Sequence, residues 1–175
     1  MKISKTKFKD LLVFKSKNFY DNRGYFREVL IEKLIKKRFK FIVVSKSKRN
    51  VLRGLHMQTK FQQGKFISVV KGKILDVAVD CRKKSKTFGK HFKIIISENN
   101  SKSIYVPPGF IHGFLGLDKE NIVVYSCTEY RHKNSEIGVL WNDKNLKIRW
   151  NIKKPILSKK DKNNFSLKQY LKKYK

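Results

Sequence analysis

Acidic side chains are scarce in this chain of 175 residues, since 13 Asp and Glu stand against 43 Lys and Arg and give a formal net charge of +30. Such a charge is compatible with binding to nucleic acid or to an anionic membrane surface. The lysines are spread over every segment, however, whereas nucleic-acid sites combine arginine with a localised basic stripe or an aromatic platform. We therefore interpret the charge as a solvated surface and predict no nucleic-acid partner, although a positive field would attract a phosphate-bearing substrate.

Cysteine is also rare, because only Cys81 and Cys127 occur and neither belongs to a ligand spacing such as CxxC. We predict that both are buried free thiols of a reducing compartment. Long apolar runs are absent: lysines interrupt the N-terminal segment before a signal-peptide core can form, and no stretch approaches the length that spans a membrane. We expect a cytoplasmic protein with no membrane partner.

Proline and glycine are few, at 3 and 9 residues, and neither a low-complexity linker nor a repeat marks a domain boundary. The length fits one domain over residues 1–175, which is long enough to bury a core. Hydrophobic residues make up 40% of the chain, and aromatic residues 13%, which favours a folded globule over a disordered chain.

The hydrophobic pattern is mostly that of β-strands. In residues 75–80, Leu75, Val77 and Val79 alternate with Asp, Ala and Asp, which predicts a strand with one buried face. The dipeptide 71–72, Lys-Gly, predicts a hairpin turn just before it. Further strands are predicted at 41–44, 51–57, 66–70, 92–97, 103–106 and 122–129. Many short strands separated by turns are typical of a sandwich or a jelly roll.

Two segments have helical periodicity instead. Ile31, Leu34 and Ile35 share one face of a short helix. Near the C-terminus, at about 164–175, apolar residues repeat at i, i+3, i+4 and i+7, namely Leu167, Tyr170, Leu171 and Tyr174. A basic helix of this kind can lie on a membrane surface, but its short apolar face favours packing against the β-domain.

Residues 107–112 read PPGFIH and fit the PxGxxH pattern that brings a histidine into a cupin barrel. A metal-binding cupin also carries HxH, because a divalent transition metal needs several converging N and O ligands. Here that run is His56-Met57-Gln58, and Lys65 lies where an acidic ligand is sought, so that its ammonium would repel a cation. The pattern indicates the barrel without the metal site.

Six blocks of sequence, in this order, carry a specific resemblance. They are DNRGYFRE (21–28), VLRGLH (51–56), DVAVD with Arg82 (76–82), PPGFIHGF (107–114), WND (141–143) and LSKKD (157–161). In these blocks, which run from about residue 20 to 161, the chain resembles the dTDP-4-dehydrorhamnose 3,5-epimerases of L-rhamnose synthesis. The resemblance implies a mainly β fold, a cupin jelly-roll barrel with short flanking helices, and an isomerase that uses no cofactor and no metal.

Epimerisation beside a ketone needs a base that removes a carbon-bound proton, a group that holds charge on the enolate oxygen, and an acid on the other face. Histidine suits the first role because its pKa lies near working pH, and His56 is the candidate base. The resemblance implies that Asp161 orients His56 and that Tyr125 donates the returning proton. Lys65 is the candidate electrostatic partner of the enolate.

The resemblance also assigns the residues that bind a dTDP-linked 4-keto-6-deoxy sugar. Arg23 and Arg53 match positions that grip the diphosphate, where a guanidinium pairs with phosphate oxygens. The other matching positions are Phe26 and Glu28 for the base, His112 for the sugar pocket, and Glu136 and Lys160 for the substrate site. In this family some of these contacts cross a dimer interface, so a homodimer is expected.

The chain departs from the family pattern in two places. The family usually carries a Gln-x-Asn pair upstream of RGLH, whereas residues 41–45 here read FIVVS, and Arg131 lies where relatives often have an aromatic residue or a proline. Inversion at C3 only or at C5 only of a related nucleotide sugar therefore stays open, as does a non-catalytic cupin that binds sugar or nucleic acid.

Two local expectations follow from spacing and charge. Arg53 and His56 are three residues apart, which in a regular strand would place them on opposite faces, so a bulge at Gly54 is needed for both to reach one site. Asp76 and Asp80 are interpreted, together with Arg82, as structural pairing at a strand end. Asp161 can alternatively be a loop cap before the C-terminal helix.

Overall fold

The computed structural model describes residues 1–174 and consists mainly of short strands. The strands are β1 (Lys2–Lys5), β2 (Leu12–Lys15), β3 (Phe19–Asp21), β4 (Gly24–Phe26), β5 (Phe41–Lys48), β6 (Leu52–Gln58), β7 (Lys65–Lys71), β8 (Lys73–Asp80), β9 (His91–Ser97), β10 (Lys102–Val106), β11 (Phe110–Gly116), β12 (Glu120–Cys127) and β13 (Glu136–Gly138). The helices are α1 (Glu32–Ile35), α2 (Lys159–Lys162) and α3 (Leu167–Tyr174), with a 3-10 turn at Lys133–Ser135.

Two antiparallel sheets form the body of the molecule. One has the strand order β1-β2-β10-β7-β12-β5 and the other β13-β6-β11-β8-β9, while β3 and β4 pair as a separate hairpin. The mainly β fold with short flanking helices is thereby confirmed. Each of the predicted strands corresponds to an observed one within a few residues, but β1 to β4, β11 and β13 had no predicted bounds.

The space between the two sheets is filled by inward-facing apolar side chains. This cluster comprises Phe8, Leu11, Ile67, Val69, Ile74, Ala78, Ile96, Ile104, Val106, Phe110, Phe114 and Val123. Strands of both sheets contribute to it at every second position, as the two-residue period of a strand requires. The cluster occupies one part of the interior, and the remaining part is the cavity described below.

A second apolar layer covers the outer face of the five-stranded sheet. Leu167 and Tyr170 of α3 are buried there, and the Tyr170 hydroxyl lies 3.6 Å from Sδ of Met57. The prediction that the C-terminal helix packs on the β-domain is confirmed over 167–174, and residue 175 lies outside the described residues. Among residues 1–174, no helix has the length and apolarity needed to cross a bilayer.

Strand β8 is buried on both faces, so the prediction of a single buried face is wrong. Val77 and Val79 point outward into the layer under α3, whereas Asp76 and Ala78 point inward and are fully buried. In the sequence, an inward-facing polar residue such as Asp76 cannot be told from one that faces solvent. The partner that allows its burial, His112, lies on a different strand, β11.

The predicted hairpin at residues 71–72 is also wrong. Gly72 does form a turn, with φ of 81°, but β7 and β8 on either side of it belong to different sheets. A Cβ at this position would lie 2.1 Å from the Glu120 carbonyl oxygen. Gly72 therefore makes a tight corner between the two sheets, and turn chemistry alone does not distinguish such a corner from a hairpin.

Helix α1 has only four residues and buries less than expected. Ile35 is buried against the outer face of the six-stranded sheet, but Leu34 is 40% exposed and Ile31 precedes the first turn. The predicted shared apolar face is therefore wrong for Leu34.

A bulge in β6 at Gly54 is confirmed. His56 pairs with His112 of β11, and Arg53 pairs with Phe114. The two pairs are three positions apart along β6 but only two apart along β11, so β6 contains one extra residue between them. Gly54 has φ of 117°, and its Cα faces Gly113 so closely that a Cβ would lie 2.7 Å from the Gly113 Cα. The extra residue turns Arg53 and His56 to the same side of the sheet.

Both cysteines are buried and free, as predicted. Burial raises the pKa of Cys81 to about 12 and also raises the pKa of Cys127. Neither thiol is therefore ionised at neutral pH.

A buried carboxylate, Asp80, holds the end of β8. It accepts hydrogen bonds from Arg82, Ser85 and Thr87, at 2.8 Å, 2.6 Å and 2.6 Å to Oδ2. Burial acts to raise the pKa of Asp80, but these hydrogen bonds outweigh it and lower the pKa to about 2. The predicted structural pairing of Asp80 with Arg82 is confirmed.

Replacing Asp80 should destabilise the fold in a pH-dependent way. Because the pKa falls from 3.8 to about 2 on folding, Asp80→Asn should lower the free energy of unfolding at pH 7 by about 2 kcal/mol. The difference should shrink as the pH falls from about 4 towards 2, where the native carboxylate becomes protonated. Urea unfolding at several pH values measures this. Asp118→Asn is the control, and an equal loss in both variants would contradict the assignment.

Two effects of placing a side chain at Gly54 can be measured separately: the contact with β11 and the strain of a positive φ. Gly24 also has a positive φ, of 131°, but a Cβ there would meet nothing within 4 Å. Gly24→Ala should cost about 1 kcal/mol through its φ alone. Gly54→Ala should cost about 3 kcal/mol or more, because β11 must also move. Chemical denaturation compares them, and similar losses would mean that contact with β11 is unimportant.

Candidate active site

A cavity of about 610 Å³ opens between the two sheets, beside the apolar cluster of the interior. Strands of both sheets and the segment before and within α2 line it. Eight of the residues predicted for the site lie on its wall: His56, Tyr125, Asp161, Lys65, Arg53, His112, Glu136 and Lys160. These positions come from segments more than 100 residues apart in the chain, so the fold brings together most of what the sequence suggested.

His56 and Asp161 form a hydrogen-bonded pair in this cavity. The distance from His56 Nε2 to Asp161 Oδ1 is 2.5 Å, and Asp161 is 4% exposed. Ser158 caps α2 by accepting a hydrogen bond from the Asp161 backbone N–H at 3.0 Å, which places the carboxylate beneath the imidazole. Asp161 is therefore in the first turn of α2 and is not a cap of the C-terminal helix.

The carboxylate of this pair stays ionised. Burial acts to raise the pKa of Asp161, but hydrogen bonds from His56, Ser158 and the Gly54 backbone outweigh it, so the pKa is lowered from its ordinary value. An ionised Asp161 accepts the hydrogen bond of the pair and so fixes the orientation of the His56 ring.

Tyr125 approaches the cavity from the other sheet. It lies on β12 with its ring 6.3 Å from that of Phe114, and its hydroxyl is 3.2 Å from Ser45 Oγ. Burial raises the pKa of Tyr125, and the hydrogen bond with Ser45 offsets this only in part. The phenol therefore keeps its proton at neutral pH and has one to donate.

Lys65 reaches the cavity from β7, next to Cys127 of β12 in the sheet register. Within residues 1–174 its ammonium has no hydrogen-bonded partner. Burial lowers the pKa of Lys65, and the electrostatic effects of Cys127, Glu136 and Asp76 offset this only in part. A partly buried cation without a direct partner gains most from an anion that forms beside it.

A second histidine–carboxylate pair lies deeper. His112 Nε2 is 2.8 Å from Asp76 Oδ2, and the two residues are 5% and 0% exposed. The interpretation of Asp76 as a strand-end partner of Asp80 and Arg82 is therefore wrong, because it orients His112 instead. Asp76 Oδ1 has no hydrogen-bond partner within residues 1–174, and the electrostatic effect of this carboxylate acts to raise the pKa of both Lys65 and Tyr125.

Charged residues surround the mouth of the cavity. Glu136 accepts a hydrogen bond from Arg131 Nε at 3.0 Å and forms an ion pair with Lys160. Burial acts to raise the pKa of Glu136, but these two cations outweigh it and lower the pKa to about 2. Arg53 donates from Nε to Ser47 Oγ at 2.9 Å, which holds its guanidinium at the edge of the cavity.

Three predicted residues do not reach this cavity. Arg23, Phe26 and Glu28 lie on or just after the β3–β4 hairpin, all of them exposed. The Arg23 side chain is 85% exposed and pairs with Asp21 at 2.6 Å, and Phe26 is 67% exposed. Within one chain the structure does not bring them together with the other eight.

Sequence reasoning missed three residues that shape the site. Ser45 holds the Tyr125 hydroxyl, Asp76 holds His112 and Ser158 positions Asp161. A signal existed for Ser158, because a serine three residues before an acidic residue marks a helix start. No local signal existed for Ser45 or Asp76, whose partners lie on other strands.

The donor set in the cavity is not that of a metal site. Within the described residues, no group of three or more His, Cys, Asp and Glu side chains is arranged to hold a metal ion. His56 and His112 each bond to their own carboxylate rather than converging on one point, and Lys65 adds a positive group to the same wall. These residues suit proton transfer and the binding of anions.

Comparison with known proteins gives one consistent family. The model of the dTDP-4-dehydrorhamnose 3,5-epimerase family matches residues 5–169. A curated epimerase of that name from Shigella flexneri is 41% identical over 170 residues, which covers 93% of this chain and 94% of the relative.

Solved structures agree with this. The Legionella pneumophila 3,5-epimerase in complex with dTDP-4-keto-L-rhamnose superposes with a TM-score of 0.91 at 37% identity, covering 95% of this chain and 93% of the other. The Bacillus anthracis enzyme with TDP and PPi bound gives 0.91 at 39% identity, covering 95% and 99%. The predicted cupin jelly roll is thus confirmed. The chain belongs to the dTDP-4-dehydrorhamnose 3,5-epimerase family.

Proposed function

We propose that this protein is a metal-independent isomerase that inverts C3 and C5 of dTDP-4-dehydro-6-deoxy-D-glucose to give dTDP-4-dehydro-L-rhamnose. One observation carries the proposal: His56 and Tyr125 reach the same cavity from opposite sheets. Inversion requires that a proton leave one face of a carbon and another arrive on the opposite face. Their approach to one cavity from different sheets supports a base on one side of the sugar and an acid on the other.

The first step is removal of a proton from a carbon beside the ketone. His56 takes the proton, and the electron pair of the C–H bond forms the enolate while the C4 carbonyl electrons move to oxygen. Asp161, ionised and hydrogen-bonded at 2.5 Å, stabilises the imidazolium that results. Lys65 lies on the wall, without a hydrogen-bonded partner among the residues that the structure describes, and stabilises the enolate oxygen.

The second step returns a proton to the other face. Tyr125 is protonated at neutral pH, as an ordinary tyrosine is, and burial raises its pKa further. It can therefore give its proton to the strongly basic enolate carbon while the carbonyl reforms. Arg53, whose charge acts to lower the pKa of Tyr125, can stabilise the resulting phenolate until solvent restores the proton. One base and one acid on opposite sides serve both carbons in turn.

Cationic residues at the mouth fit the diphosphate of the substrate. Arg53 and Lys160 line the opening, and Arg131 lies beside them. Guanidinium and ammonium groups pair with phosphate oxygens, and the net charge of +30 adds a long-range attraction for a doubly charged nucleotide sugar. His112, held by Asp76, supplies a polar contact to the sugar.

Inversion of a single carbon is the second candidate. It is favoured by the apolar residues Phe41 and Val43, which stand on the cavity wall where the family usually has its polar Gln-x-Asn pair. Proton NMR of the product formed in deuterated buffer separates the two, because deuterium enters only at carbons that lose a proton. Deuterium at both C3 and C5 supports double inversion.

The base and the acid should have separable effects. His56→Ala should reduce exchange and inversion together by about 10²- to 10⁴-fold, because no proton is removed. Tyr125→Phe should keep measurable exchange while net inversion is lost, because the base survives. NMR in deuterated buffer follows exchange, and chiral analysis of the sugar follows inversion. Tyr130→Phe, a hydroxyl outside the cavity, is the matched control. Equal loss of both signals in Tyr125→Phe would contradict the division of roles.

We further propose that the protein acts as a homodimer in which the β3–β4 hairpin of one protomer completes the site of its partner. Arg23, Phe26 and Glu28 are exposed and lie outside the cavity of their own chain. The hairpin also exposes Tyr20 at 73%, and the edge strand β5 exposes Ile42 at 65%. Exposed apolar groups on an edge strand are typical of an interface.

Complementation tests this arrangement. Arg23→Ala and His56→Ala protomers should each be nearly inactive alone at low substrate concentration. Co-expressed with two different tags, they should recover about a quarter of the wild-type activity, because half of the dimers are mixed and each mixed dimer contains one intact site. Recovery in the doubly purified mixed dimer supports the proposal. If the mixed dimer stays as inactive as its parents, or if the protein sediments as a monomer, Arg23 does not act across an interface.

A further inference from the structure

Strand β5 presents two different faces to its surroundings. Phe41, Val43 and Ser45 line the cavity, whereas Ile42 and Val44 between them point outward and are 65% and 64% exposed. This alternation follows from the two-residue period of a strand. The inward face is thus apolar over its first two positions and polar only at Ser45.

The sheet register places these apolar side chains beside the reactive groups. Val43 is directly opposite Tyr125 on β12, and Phe41 is opposite Cys127, which is itself opposite Lys65 on β7. Side chains directly opposite each other on one face of a sheet lie in contact distance. Phe41, Val43 and Cys127 therefore form an apolar wall, which adjoins both the phenol and the ammonium.

The apolar wall offers no strong hydrogen-bonding group to a ligand. Phe41 and Val43 have no polar side-chain atoms, and the Cys127 thiol is a weak donor. The nearest hydroxyl, that of Tyr125, is already 3.2 Å from Ser45 Oγ. On the opposite side of the cavity, β6, β13 and α2 present the polar groups of His56, Glu136 and Asp161. A sugar hydroxyl turned towards the wall would lose its hydration without gaining a partner.

We propose that the apolar wall binds the methyl group on C5 of the 4-keto-6-deoxy sugar and makes Phe41 and Val43 determinants of substrate specificity. This rests on the proposed function. The methyl group is the one apolar substituent of such a sugar, since the other ring carbons carry hydroxyl groups, the ketone or the diphosphate. Facing it to the apolar wall lets the hydroxyl groups meet the polar side.

An apolar contact also suits a carbon whose configuration changes. Inversion at C5 moves the methyl group relative to the ring, and a hydrogen bond of fixed direction would favour one configuration over the other. Hydrophobic contact has no preferred direction, so the wall holds the methyl group both before and after proton transfer from Tyr125.

The test compares two substrates that differ in one oxygen atom, dTDP-4-keto-6-deoxyglucose and dTDP-4-ketoglucose, which has a hydroxymethyl group on C5. The wild-type kcat/KM should favour the methyl substrate by roughly 10- to 100-fold. Val43→Thr keeps the shape of the side chain and adds a hydroxyl, so it should lower this preference about tenfold. Val44→Thr makes the same change on the outward face and should leave the preference at its wild-type value.

Phe41→Gln provides a second variant in case Val43→Thr folds poorly, and it should also lower the preference, whereas Phe41→Leu should keep it. A wild-type enzyme that turns over both substrates equally, or inward variants whose preference equals that of Val44→Thr, would overturn the proposal while epimerisation itself still proceeds. Failure of the proposed function looks different, because the wild-type protein would then incorporate no deuterium into either sugar.

Discussion

The close approach of β6 to β11 at Gly54 and Gly113 is the constraint on which the site depends. A Cβ on Gly54 would lie 2.7 Å from the Gly113 Cα, and the bulge that this contact permits turns Arg53 and His56 to one side of the sheet. Without the extra residue, a strand of period two would send one of them into the apolar layer under α3. A backbone feature without any side chain thus decides which side chains can meet the substrate.

The charged groups in and around the cavity differ in whether they have a partner of opposite charge or a hydrogen-bonded partner. The acidic groups on the wall have hydrogen-bonded or ionic partners, Asp161 with His56 and Glu136 with Arg131 and Lys160, and Asp76 behind the wall pairs with His112. Lys65 alone among the inner cations lacks a direct one within the described residues. Burying an unpaired ammonium is costly in the free enzyme, and in the proposed mechanism that cost is relieved when an enolate forms beside it. In that mechanism the unpaired ammonium of Lys65 both destabilises the free enzyme and stabilises the transition state that leads to the enolate.

The sequence predicted strands well where apolar and polar residues alternate, as in 75–80, and poorly where partners are distant. Asp76 was interpreted as part of a strand-end pairing with Asp80 and Arg82, because nothing local points to its partner, His112, which is 36 residues away. The turn at Gly72 looked like a hairpin because local geometry does not say which sheet a strand joins. The exposed strand β1, with the sequence KISK, has no buried face to produce a pattern. Local periodicity identifies a strand, but it reports neither the sheet that the strand joins nor the partners that bury its polar side chains.

Ordered motifs made it possible to predict which residues belong to the site. They did not predict which of those residues contact one another. The chemistry of proton transfer made His56, Tyr125 and Lys65 interpretable once a ketone substrate was considered, and the fold brings them to one cavity. Arg23 matches its motif equally well but lies outside the cavity of its own chain. A sequence does not state whether a binding residue acts in its own chain or in a partner. Val43 shows the complementary limit: its meaning comes from the register that sets it opposite Tyr125. Phe41 and Val43 replace the polar Gln-x-Asn pair of the family. In the proposed complex this exchange removes polar contacts to the substrate and adds an apolar contact to its methyl group.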